Sequence, residues 1–541
     1  MDREDTVTEA IAIAGGKIVE LGKSETLRRL AGRSTRILDL RGRLVTPGLI
    51  DSHCHFAEAG IDAAFVLDLR YPKTKNVQNI LELVGKKAKR SGRGKWIIGS
   101  GWNETLLEEK RYLTRWELDS VSPDNPVLLR HVTGHCIVVN SLALRLPGIS
   151  KQTPDPPSGS IERDSAGEPT GVLKEFAAMN IVLKLVPQWT IGDWINGIRH
   201  ATRLWVREGV TAVKESYSRD QYRSILAAYR SLMSSRKMKI RSYLLLIAET
   251  VKDLNDAIER QHDFSTHTDD ILLKLGGIKV IFDGSLVART AWMYEEYCDA
   301  TGKTEIGNRG YPALREDEMT EIVTTSDANG FQIAVHAIGD RAIDVVLDAY
   351  EKALKTNPRP DHRHSIVHAL IPKQDAVRRM SAMNLVVETQ TSFLYFLADG
   401  YSRSIRADLL RRVIPIRTLL DAGITVGNGS DAPYGPYPPR YGLWAACTRR
   451  SYSGREGEEF LGKGECISIR EALRTYTIDA AKCLEMEDNI GSLERGKLAD
   501  LVVWEKDILS IPIDEVREVR VVMTIIDGKV AFQRRPNNRV M

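Results

Sequence analysis

Cysteine is scarce: Cys54, Cys136, Cys298, Cys447, Cys466 and Cys483 are the only six in 541 residues, and no CxxC pair occurs. That excludes a disulfide framework and reads as buried thiols in a reducing compartment. No apolar run approaches the ~18–20 residues that a membrane helix needs. The start, Met1-Asp2-Arg3-Glu4-Asp5, is acidic and lacks the apolar core of a secretion signal. Cytoplasm is therefore the expected location, with no membrane partner. Net charge is also small, +4, which gives no reason to expect nucleic acid. Internal repeats and low-complexity tracts are absent. A small-molecule substrate is the expected partner, and a homodimer is left open. The chain is too long for one small core, and its 43% hydrophobic and 27% charged content is that of a globular protein.

Histidine is scarce too, 11 in all, so two within three residues carry weight. They lie in Val45-Thr46-Pro47-Gly48-Leu49-Ile50-Asp51-Ser52-His53-Cys54-His55-Phe56, which reads as a buried strand. Residues two apart on a strand share a face. Asp51, His53 and His55 therefore aim one way at its C-terminal end. Two imidazoles there can hold a divalent metal, with Asp51 as a supporting or catalytic group.

Seven more strand-like stretches follow, around residues 211–215, 241–247, 277–284, 331–336, 364–368, 385–390 and 424–431, with helical patterns between them. With the opening strand they make eight βα units, the number that closes a parallel barrel with its active site at the C-terminal strand ends. The expected fold is α/β, a (β/α)8 TIM-like barrel. Residues 57–190 interrupt the count after the first strand and are expected to form a lid or substrate subdomain over the catalytic face. Short hairpin patterns at both termini lack the apolar mass to fold alone. They predict one composite β-sandwich domain from 1–46 and 487–541, with the catalytic barrel spanning 47–486.

The strand ends carry the candidate chemistry. Strand one supplies His53 and His55, strand four Lys279, strand five His336, strand six His368 and strand eight Asp431. Four imidazoles and a carboxylate can hold two divalent ions, which then need a bridge. A lysine in a dry pocket loses its proton, since burial lowers its pKa, and the free amine can add carbon dioxide to give an anionic carbamate. Lys279 is the candidate, against the alternative that it pairs with Asp283. Lys174 and Lys214 are its rivals.

The chain resembles the amidohydrolase superfamily, in the branch called amidohydrolase family 3, which includes N-substituted formamide deformylase. The resemblance rests on Thr46-Pro47-Gly48 through His55, Thr133-Gly134-His135, Lys279 through Ser285, His336-Ala337-Ile338-Gly339-Asp340, His368, Gly429-Ser430-Asp431-Ala432-Pro433 and the closing Gly491 to Leu501. It implies that His53 and His55 bind one metal and His336 and His368 the other. It also implies that Lys279 bridges as a carbamate and that Asp431 binds the first metal and handles the proton. A one-metal site stays open. Zinc is the default for a His-rich hydrolytic site.

A bound divalent ion lowers the pKa of water toward ~7, giving hydroxide, and polarises a carbonyl. The expected reaction is hydrolysis of a non-peptide, amide-like C–N bond, with N-acyl or N-formyl groups the leading case. Asp431 passes the proton to the leaving nitrogen, and His135, reaching in from the insertion, steadies the oxyanion. Glu175, Trp102 and Arg289 are candidate substrate-binding residues, with core packing the competing reading for Trp102 and Trp292. His131, His200, His262, His267, His362 and His364 read as structural or exposed. Ester, lactone or phosphotriester hydrolysis is the alternative on the same site, and a non-catalytic scaffold is disfavoured because every ligand position is filled.

Overall fold

A computed structural model describes residues 5–259, 271–299, 302–454 and 458–535. Eight strands run parallel in chain order: Leu49–Cys54, Val210–Ser218, Arg241–Ile247, Leu273–Ile281, Gln332–Ala337, Ser365–His368, Val386–Thr389 and Thr425–Asn428. Each carries buried aliphatic residues because both its faces are covered, by barrel interior on one side and helices on the other. The fold is the expected (β/α)8 barrel, with a small β-sandwich beside it and an insertion after the first strand.

The last strand meets the first through glycine. A Cβ on Gly429 would fall 2.5 Å from the His53 backbone nitrogen, and one on Gly427 would fall 3.0 Å from Ser52 Cβ. Bare backbone lets the two chains touch. Asp431 N then donates to His53 O at 2.8 Å, and His55 N to Ala432 O at 2.8 Å. The barrel is thus stitched shut at the point where the paired histidines and Asp431 sit.

Below that level Ile50, Ala212, Tyr243, Leu245, Ala334 and Val367 fill the barrel, and the helix Ile478–Cys483 caps it. One ion pair lies inside this floor, Lys214 Nζ on Glu388 Oε1 at 2.7 Å, both side chains fully buried.

The insertion folds as a six-stranded sheet, far more than the two strands its sequence suggests. Those two are present as Ile97–Trp102 and Val127–His131. Four short strands join them, among them Cys136–Val139 and Pro169–Lys174. The sheet is clamped to the barrel. Arg130 donates to Glu58, and to Asp62 at 2.9 Å, both on the helix Phe56–Phe65. Tyr434 Oη also donates to Glu58, at 3.0 Å.

The two chain ends share a four-stranded antiparallel sheet of Val45–Pro47, Leu501–Trp504, Val521–Ile526 and Lys529–Gln533. The hairpin Ala10–Ala14 with Lys17–Gly22 lies against it through Ile18 N on Lys497 O at 2.8 Å. One of the short N-terminal hairpin patterns, residues 37–40 with 43–45 around Arg41-Gly42, does not form a hairpin. Ile37 and Leu38 are exposed with no strand beside them, and Val45–Pro47 pairs with Leu501–Trp504 instead. Among the described residues no helix is long and apolar enough to cross a membrane.

Arg241, at the start of the third barrel strand, joins barrel to sandwich. It is fully buried and forks onto Asp500 through Nε at 2.8 Å and Nη2 at 3.0 Å, and also reaches Asp527. Removing one partner of a buried pair leaves uncompensated charge and costs about 3–5 kcal/mol. Arg241→Ala is expected to lower unfolding stability by about 3 kcal/mol in urea titration. A loss under about 1 kcal/mol would remove this pair from the domain junction.

Candidate metal centre

Period-2 alternation on the first strand carries His53 to its end, and His55 follows one residue beyond Cys54. Their Nε2 atoms lie 3.3 and 3.4 Å from the same Asp431 oxygen, Oδ1. His368 closes the group from the sixth strand, its ring 5.6 Å from that of His53 and 4.4 Å from that of His336. Lys279 is buried on the fourth strand and lines the same cavity. All six expected ligand residues are brought together.

Hydrogen bonds fix which nitrogen three of the four histidines, His55, His368 and His336, offer. His55 Nδ1 lies 3.0 Å from the Ser216 carbonyl oxygen, which can only accept. The proton is therefore on Nδ1, and in the neutral ring Nε2 turns a lone pair toward Asp431. Gln390 Nε2 donates to Glu388 O, so its Oε1 faces His368 Nδ1 at 2.5 Å and accepts from it. His368 Nε2 is left for the site. His336 donates through Nε2 to Gly284 O at 3.1 Å, with Asp283 Oδ1 at 3.4 Å, and so presents Nδ1.

The electrostatics agree. Burial and then the charge of Lys279 push the His53 imidazolium down to about 3. Burial likewise lowers His336, and it lowers His368 far below its ordinary value. Burial alone would raise the Asp431 carboxyl, but its polar contacts with the His53 and His55 rings and the nearby His368 hold it well below the carboxylate range. Burial brings the Lys279 ammonium down to about 7 against the opposing pull of Glu388 and Asp431. Its Nζ has no hydrogen-bond partner. Neutral imidazoles, an ionised carboxylate and an orphaned buried amine are the donor set of a divalent cation. The residues fit a metal.

The alternatives for the lysine fall away. Asp283 does not meet Lys279; it accepts from Trp292 N, Ile338 N and Gly339 N. Lys174 is paired with Glu162 at 3.4 Å, and Lys214 with Glu388.

His135 reaches the cavity from the insertion, its ring 5.5 Å from that of His336. Its Nδ1 meets Glu175 Oε2 at 2.8 Å, and Glu175 N donates to His135 O at 2.9 Å. Burial opposes a charge on His135, but the Glu175 carboxylate outweighs it and raises the imidazole above its usual value. Glu175 itself stands behind His135 and does not line the cavity, contrary to its expected contact with substrate. Its backbone takes the left-handed conformation, φ 62°, to get there.

Two other expected substrate contacts are not at the site. Trp102 is core of the insertion, with Nε1 donating to Leu129 O at 3.3 Å. Arg289 is held by Glu305 at 3.2 Å, away from the cavity wall. Asp51 misses the cluster as well. It accepts from Trp205 Nε1, Ser430 N and Ser430 Oγ, and so anchors the loop that carries Asp431. His131 and His364 are structural, bonded to Glu104 at 2.7 Å and Asp327 at 2.9 Å. His262 and His267 lie outside the described residues. Gln390 and the carbonyls of Ser216 and Gly284 were not foreseen. Only Gln390 carried a sequence signal, as a polar side chain ending the seventh strand.

Imidazoles, a carboxylate and a lysine gathered at the C-terminal mouth of a parallel barrel define a metal-dependent hydrolase. The profile of the amidohydrolase family matches residues 36–532, and the chain belongs to that family. It is 28% identical to N-substituted formamide deformylase of Arthrobacter pascens, over 99% of this chain and 96% of that one. It is 31% identical to the protein LONG AFTER FAR-RED 3 of Arabidopsis thaliana, over 92% and 83% of the two chains. Among solved structures, an uncharacterized metal-dependent hydrolase of Pyrococcus horikoshii superposes with a TM-score of 0.72 at 25% identity, covering 93% of this chain and 95% of that one.

Groups that orient a metal-binding histidine typically govern metal affinity about 10–100-fold. Gln390→Ala frees the His368 ring and is expected to weaken zinc binding by about 10-fold or more in chelator competition. Unchanged affinity would mean that Gln390 does not orient His368 for a metal.

Proposed function

We propose that this protein hydrolyses a non-peptide, amide-like C–N bond, with N-acyl and N-formyl amines as the leading substrates. The observation that carries the reading is the convergence of His53 Nε2 and His55 Nε2 on Asp431 Oδ1, at 3.3 and 3.4 Å, within a large cavity. The deformylase relative adds weight to the N-formyl case.

His53, His55 and Asp431 would hold one divalent ion and His336 and His368 a second, with zinc the metal suited to this donor set. Lys279, as a carbamate formed when its free amine adds carbon dioxide and loses a proton, would supply the oxygens between them. The ions supply Lewis acidity and lower the pKa of water toward ~7.

Asp431 is ionised, and its oxygen faces the cavity. It takes the proton from the attacking water and delivers it to the leaving nitrogen, so that an amine rather than an amide anion departs. His135 commits Nδ1–H to Glu175, whose carboxylate favours the imidazolium form. In that form the ring, which lines the cavity, carries a second N–H on Nε2 that can donate to the carbonyl-derived oxygen as negative charge develops. Glu175 is the positioning residue for that ring. The six cysteines are all free thiols, which suits a cytoplasmic enzyme.

Asp431→Asn is expected to keep most of its zinc yet lose at least about 100-fold in kcat on an N-formylamine. Full activity in that variant would remove Asp431 from proton handling. A lactone or ester cleaved much faster than any amide would move the reading to C–O bonds. Protein loaded with zinc in 13C-bicarbonate is expected to show a carbamate carbon resonance that Lys279→Ala lacks. A resonance unchanged in the variant, or none in the parent, would contradict the bridge.

A further inference from the structure

The cavity at the barrel mouth encloses about 540 Å³ and is two-sided in character. Besides the metal centre, its polar groups include Asn180, Lys184 and Gln188, and Ser216 Oγ, Gln221 Oε1 and Tyr401 Oη, which have no hydrogen-bond partner. One part of the wall, in contrast, is apolar. The third and fourth barrel strands end in Ile247 and Ile281, and Ile338 and Leu370 follow the fifth and sixth, so four successive strand ends each place one aliphatic side chain there. Opposite stand Phe176, Met179 and Leu183 of the helix Glu175–Leu183, with Trp189 and Trp194 beyond it.

The apolar surface continues outward. Trp189 stacks on Phe65, ring centroids 5.5 Å apart and 25° between planes. Leu185 and Ile191, on either side of Trp189 in the chain, are 44% and 46% exposed. Large side chains left half in water beside a cavity mouth suggest a surface that a ligand covers.

Charge on the wall is equally one-sided. Apart from Lys279, its cations are Arg130 and the exposed Lys184. Arg130 is already bound by Glu58 and Asp62. Glu58, Asp62, Glu215 and Glu249 also line the space. A substrate carboxylate would find no free guanidinium and would face four acids, with only the solvent-exposed ammonium of Lys184 to offset its desolvation.

We propose that Phe176, Met179, Leu183 and Trp189, with the strand-end aliphatics, form a subsite for an uncharged alkyl or aryl substituent. The site takes neutral amides that carry such a group and rejects N-acyl amino acids. The insertion, by supplying one wall, sets this selectivity. The inference rests on the C–N hydrolase reading for the word amide; the subsite itself does not.

Two measurements on the full-length zinc-loaded enzyme separate the claims. Linear alcohols from butanol to octanol have no bond to cleave, and calorimetry reads their binding directly. Affinity is expected to rise about fourfold per added methylene, the ratio set by burying one CH2. Leu183→Asp and Phe176→Asp, both at half-buried positions, are expected to flatten the series, while Leu183→Ala, the variant least able to disturb folding, weakens octanol by about tenfold. N-pentylacetamide and N-acetylnorleucine differ only by a carboxylate, and kcat/KM is expected to favour the former at least about tenfold. A series flat in the parent enzyme, or insensitive to the wall variants, overturns the subsite. Equal or preferred turnover of N-acetylnorleucine overturns the exclusion of carboxylates. A steep alcohol series with no turnover of any amide upholds the subsite and overturns only the C–N reading.

Discussion

The contact on which the site depends is the one between the first and eighth barrel strands. His53 O accepts from Asp431 N, and the same two residues meet again through ring and carboxylate. Both are possible because Gly427 and Gly429 let backbone touch backbone. Asp51 holds the other side of the loop through Ser430. Histidines and aspartate hundreds of residues apart are thus fixed relative to one another by main-chain geometry, which is stiffer than any side-chain packing.

That rigidity costs free energy in the absence of a ligand. Imidazoles, a carboxylate and an unpaired amine lie buried together, and three of the imidazoles are oriented by a partner that faces away from the centre. Ser216, Gln390 and Gly284 take the outer nitrogens of His55, His368 and His336. The inner lone pairs then have only each other. An arrangement so poor for stability alone is what a preorganised metal site looks like. The insertion belongs to the same design. It is anchored by Arg130 on Glu58 and Asp62, carries His135 to the centre, and lines the cavity with Phe176 and Met179. It forms one wall of the cavity.

Much of this was legible in the sequence. Buried parallel strands are short aliphatic runs, so all eight could be found, and a polar residue closing such a run points to the mouth. That placed His53, His55, Lys279, His336, His368 and Asp431. What failed depended on contacts between distant segments. Trp102 and Arg289 look like pocket residues by type, but the insertion's own sheet and Glu305 claim them. Glu175 was found but given the wrong part, because its left-handed backbone, which sets it behind His135, has no signature in a non-glycine residue. The carbonyls that orient His55 and His336 have no side-chain identity to read. Four of the insertion's strands are too short, or too interrupted by Gly and Pro, to show period-2 alternation.

The most direct test of the account is anomalous diffraction from zinc-loaded crystals, recorded on both sides of the zinc edge. The account predicts a peak bonded to His53 Nε2, His55 Nε2 and Asp431 at about 2.0–2.2 Å, with any second peak bonded to His336 Nδ1 and His368 Nε2. Zinc bound only elsewhere on the protein, with these side chains still in place and empty, would contradict it.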